Sequence, residues 1–117
     1  MVKNTSNEKK FSPLYYDLFT KEWIKKAESL YMNCWKANNI RLDSEEHYLR
    51  RKKLQEEALL DASDFLSLLS SAKRIFNLPK RRAFFWAGRV AEIIKLIQGW
   101  KKSDYDRYYK IKSKDVG

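Results

Sequence analysis

A chain of 117 residues has room for one small domain built on a single core. Three glycines and two prolines are too few for the turns of a β-sandwich, and a content of 44% apolar and 15% aromatic residues argues against a disordered chain. The formal net charge of +10 points to an anionic partner, nucleic acid first among them, with a lysine-rich surface serving solubility alone as the alternative.

Residues 1–11 are polar and read as a flexible arm, without the apolar stretch of a signal peptide. Ser12-Pro13 then reads as a helix start, serine capping and proline in the first helical position. Tyr16, Phe19, Trp23, Ala27, Leu30 and Cys34 follow at steps of three and four and predict one apolar stripe. Asn38-Asn39 should end this helix, since asparagine tolerates the left-handed conformation.

Asp43-Ser44-Glu45-Glu46 opens a second helix, its acidic residues matching the helix dipole. Its stripe is Leu54, Ala58, Ala62, Phe65, Leu69, Ala72 and Phe76, reaching to about Asn77. Leu49, Leu60, Leu68 and Ile75 lie on a second face, which a helix needs only if it is covered from two sides. Another subunit or a fourth element of the same chain would cover it. We assign these four, with Phe84 and Phe85, to an oligomer interface.

Asn77-Leu78-Pro79 is a break, and Pro79 can start a third helix. There Trp86, Val90, Ile93, Ile97 and Trp100 keep a heptad seam, which predicts near-parallel packing at about 20°. Residues 103–112 form either a short further helix or a basic tail. The expectation is an all-α, antiparallel bundle of three long helices plus a short fourth element, four-helix-bundle-like, in one domain over residues 1–117.

Catalysis has little to stand on, and no enzyme activity or cofactor is expected. His47 is the only histidine and falls in a charged first turn; Cys34, the only cysteine, falls on an apolar stripe. That single cysteine excludes an intrachain disulfide and suggests a reducing, cytoplasmic setting. No metal-ligand spacing or phosphate-cradling glycine loop occurs, and no apolar run approaches the ~20 residues of a membrane helix. Glu56, Glu57, Asp61 and Asp64 read as solvated or paired with nearby lysines.

The cations carry more. Between Leu78 and Lys114, eleven Lys and Arg stand against three acids. The candidate phosphate contacts are Arg50, Arg51, Lys52 and Lys53 on the second helix and Lys80, Arg81, Arg82, Arg89, Lys101 and Lys102 on the third. The arginines suit bidentate grip on phosphate. Tyr105, Tyr108 and Tyr109, interleaved with Arg107 and Lys110, suit either base stacking or docking onto the bundle.

The stretch RVAEIIKLIQGWKKSD, through Val90, Glu92, Ile93, Ile97, Gly99 and Trp100, resembles the last helix of the accessory variability determinant proteins of diversity-generating retroelements. It is also similar to the wider four-helix-bundle group that includes proteins encoded in ribosomal RNA intervening sequences. The segment LQEEALLDASDFLSLLSSAKRIFNLP resembles the preceding helix of the family, so the likeness covers about residues 44–103. It implies a non-catalytic pentamer of bacterial or phage origin, with reverse transcriptase and template RNA as partners in mutagenic cDNA synthesis. The family has two substantial helices before this region, whereas one clear helix precedes it here. The alternative is a stand-alone basic nucleic-acid-binding protein of a phage or mobile element.

Overall fold

The computed structural model describes residues 13–116, and these form three long helices, α1 (Pro13–Asn38), α2 (Glu45–Ile75) and α3 (Lys80–Val116). The arm at residues 1–11, the Ser12 cap and the Tyr16 side chain lie outside what is described.

Local chemistry sets the helix ends. Asn39 closes α1 without a left-handed turn: its backbone N–H and its side-chain amide both donate to the Trp35 carbonyl, at 3.1 and 2.9 Å. Ser44 caps α2, its hydroxyl accepting from the His47 N–H at 3.1 Å, and Glu45 and Glu46 occupy the first turn. The left-handed asparagine stands instead at Asn77, just beyond α2, with φ 55°. Pro79 then accepts at its carbonyl from the Ala83 N–H and leads into α3.

Packing is antiparallel and in one layer. α2 lies in the middle and touches both neighbours, while α1 and α3 never come within 8 Å of each other, Cα to Cα. The overall extents of 74 × 24 × 14 Å fit three helices side by side and only one helix deep. Alanine is what lets them close up: Ala37, Ala58, Ala62, Ala72 and Ala83 are all buried.

Two polar pins join the layer. On the α1 side, the buried carboxylate of Asp61 accepts from Ser29 Oγ at 2.7 Å and Asn33 Nδ2 at 2.8 Å. Asp61 is therefore not the solvated or lysine-paired acid that the sequence suggests, whereas Asp64 does pair with Lys26, at 3.0 Å. Beyond this pin lies an aromatic cluster in which Trp23 touches Phe19 and Phe65, and Phe19 meets Phe76 edge-on.

On the α3 side, the buried seam is Ala83, Val90, Ile97 and Asp104, a strict seven-residue repeat. Val90 and Ile97 are the expected seam residues; Trp86 and Ile93 sit on its flank, 43% and 36% exposed. Asp104 Oδ2 accepts from Arg51 Nε at 2.5 Å and Gln55 Nε2 at 2.8 Å, and Arg51 Nη1 donates to the Ile40 carbonyl at 2.9 Å. The Arg51 guanidinium also lies over the Trp100 ring, 5.3 Å from its centroid.

One expected element is not formed. Residues 103–112 are neither a separate short helix nor a loose tail but the uninterrupted continuation of α3, which spans 37 residues. Gly99 does not break it, and Asp104 and Tyr108 anchor the extension to α2.

Candidate nucleic-acid interface

Four consecutive cations on a helix point in four directions, about 100° apart. In the run 50–53, Arg50 and Lys53 face outward with no carboxylate partner among the described residues. Lys52 is half-buried beside α3. Arg51 is the exception: it is buried, with Asp104 and the Ile40 carbonyl taking its N–H groups, so it is a structural residue rather than a phosphate contact. The signal for this was present in the sequence. Continuing the Val90–Ile97 heptad by one step reaches Asp104, and a core carboxylate needs donors on the facing helix, which Arg51 and Gln55 supply.

At the far end of the same helix pair, Lys80, Arg81 and Arg82 occupy the first turn of α3 with no acidic residue among them. All three are exposed. Their charges add to the positive end of the helix dipole, which concentrates positive potential there. Lys80 and Lys73 both approach the Phe84 ring, at 5.7 and 5.6 Å from its centroid. Arg89 is exposed too, 3.5 Å from Glu92 and over the Phe85 ring. The two remaining candidates are engaged by carboxylates, Lys101 by Glu56 at 3.1 Å and Lys102 by Asp106 at 3.3 Å. Between Lys80 and Lys102 the helix rises about 33 Å, so the structure brings the ten candidates together as two separate groups.

Of the apolar residues assigned to an interface, Leu49, Leu60, Phe84 and Phe85 are exposed, and Leu68 and Ile75 are half-buried. No described element covers Leu49 or Leu60. Ile24, Tyr31 and Trp35 on the outer side of α1 are exposed as well, a face the sequence reading did not single out.

The chemistry of the lone nucleophile is unpromising. Burial pushes the Cys34 thiol up, and the nearby Asp61 charge adds to the effect. His47 Nδ1 lies 2.5 Å from Asp43 Oδ1, and that contact holds the Asp43 carboxyl below its ordinary value. Among the described residues no cluster of three His, Cys, Asp or Glu side chains could hold a metal, and no helix is long and apolar enough to cross a membrane.

Comparison with family models, with curated proteins and with solved structures gave no match. The functional reading therefore rests on the residues themselves.

Proposed function

We propose that this chain is a non-catalytic accessory subunit of a diversity-generating retroelement, binding template RNA and the reverse transcriptase as a homo-oligomer. The observation that carries the nucleic-acid part is the pair of cation groups at opposite ends of the α2–α3 pair. Arg50 and Lys53 at one end, and Lys80, Arg81 and Arg82 at the other, have no described carboxylate to neutralise them. Unpaired cations of this kind release counterions on meeting phosphates, which gives affinity without reading sequence.

The retroelement and its polymerase enter through the likeness of residues 44–103 to the accessory proteins of such elements. Assembly is supported by exposed hydrocarbon at Leu60, Phe84 and Phe85. A ring of copies, five in the family, would repeat both cation groups and turn weak phosphate contacts into avid binding. Within this reading the protein works in a bacterial or phage-infected cytoplasm.

Co-expression with a retroelement reverse transcriptase, followed by purification and mass measurement in solution, tests the proposal. A discrete oligomer that carries the polymerase and RNA supports it. A monomer that recovers neither overturns it. A protein that holds nucleic acid but never the polymerase selects the stand-alone binder.

A further inference from the structure

Of the three tyrosines near the end of α3, the structure turns one inward and leaves two out. Tyr108 is buried, stacked flat on Tyr48 at 4.4 Å, its hydroxyl donating to Glu45 at 3.0 Å. Tyr105 and Tyr109 are about half exposed, one helical turn apart, with ring centroids separated by 4.5 Å. Lys102, Tyr105, Tyr109 and Lys112 follow at steps of three, four and three and share one stripe of α3. Beside the stripe, Lys52 and Lys101 line a groove between α2 and α3 that ends at Tyr105.

This face differs from the other exposed apolar surface of α3. Ile93 and Leu96 are aliphatic, and the Phe84 and Phe85 rings, which lack a polar edge, already hold Lys73, Lys80 and Arg89 over them. Here the rings are phenols with polar tips, on a stripe that begins at Lys102 and ends at Lys112, whose ammonium lies over the neighbouring Tyr108 ring, 5.8 Å from its centroid. Alternating flat rings and cations match the alternating bases and phosphates of an unpaired strand.

We propose that this face binds single-stranded nucleic acid, with bases stacked on Tyr105 and Tyr109 and phosphates held by Lys52, Lys102 and Lys112. The proposal rests on the nucleic-acid reading above and adds strandedness to it. A duplex keeps its base faces inside its own stack, so the tyrosines have nothing to stack on; an unpaired strand exposes them. Lys102 and Lys112 hold Asp106 and Glu45 at exposed positions, weak pairs that a phosphate can displace.

The test measures binding of a labelled oligouridylate and of an RNA duplex of the same length by fluorescence anisotropy, using the full chain at one salt concentration. The variants are Tyr105→Ala/Tyr109→Ala, Tyr105→Phe/Tyr109→Phe and Arg81→Gln/Arg82→Gln, each checked for helicity by circular dichroism. The alanine pair should weaken single-strand binding by about fivefold or more, the loss of at least one stacked base, and leave duplex binding unchanged. The phenylalanine pair should bind like the native chain, and the glutamine pair should weaken both probes. Unchanged single-strand affinity in the alanine pair, or equal loss for both probes, overturns the stacking face while leaving the basic ends in place. Binding of neither probe by the native chain overturns both readings.

Discussion

Gly99 stands in the middle of α3, and a Cβ added there meets nothing within 4 Å. Close approach of a neighbouring helix within the chain is therefore not its reason. Glycine in a helix interior costs about 0.5–1 kcal/mol relative to alanine, so Gly99→Ala should raise the stability of the isolated chain by about that amount. Urea unfolding measures it. If Gly99→Ala leaves the monomer intact but weakens assembly, the open space above it is used between copies. Trp100 next to it has a definite task, since its ring carries the Arg51 guanidinium.

Two ionisable groups give further checks at this scale. The Asp43 carboxyl is held below its ordinary value of 3.8 by its hydrogen bond to His47. Its contact therefore stabilises the fold above that pH and fades as the pH falls through the lowered value. An NMR titration should find Asp43 below the ordinary carboxylate range, and His47→Ala should move it back up. Cys34, raised by burial, should react with a thiol reagent at pH 8 more slowly than a cysteine peptide and at the peptide's rate once unfolded. Equal rates in the folded chain would contradict its partial burial beside Asp61.

At the scale of the elements, the Arg51–Asp104–Gln55 pin fixes how α3 registers against α2. Removing one partner leaves the other buried and unpaired, so Asp104→Ala should cost about 3–5 kcal/mol. Replacing both charges, as Arg51→Met with Asp104→Leu, should cost less than the single change because no charge is stranded. Unfolding curves of the two variants and the native chain decide it. Helix boundaries were legible because they rest on local chemistry: Ser44, Asn77 and Pro79 mark them in any context. The seam of α3 was legible only in part. Trp86 and Ile93 outweigh Ala83 and Asp104 in hydrophobicity, yet the small and the charged residue face α2. The basic run 50–53 does not by itself show which member turns inward; only the heptad step from Ile97 to Asp104 on the facing helix points to Arg51. The continuation of α3 past Ser103 was obscured by its polar sequence, because what holds it is pairing with α2 and not an apolar stripe of its own.

At the scale of the whole molecule, the single layer leaves broad helix faces without a partner among the described residues. Leu60, Phe84, Phe85, Leu96 and Trp35 are each more than half exposed. Leu60→Asp with Phe85→Asp should reduce the mass in solution toward that of the monomer while keeping the helical circular dichroism signal. That Leu49 and Leu60 stand off the core could be read from the sequence, because they lie opposite the stripe of Ala58, Ala62 and Leu69. The outer face of α1 could not, since Ile24, Tyr31 and Trp35 are interleaved with charges and their exposure follows only from the absence of a helix beside them among the described residues. The positions of the two cation groups at opposite ends likewise depend on α2 and α3 running antiparallel over their full length. The most direct test of the central claim is the salt dependence of RNA binding by the native chain and by Lys80→Gln/Arg81→Gln/Arg82→Gln. On a logarithmic plot the native affinity should fall steeply with salt, and the triple variant should lose about 0.7–0.9 of slope for each phosphate contact removed, two or three in all. An affinity that does not change with salt, or an identical slope in the variant, would contradict it.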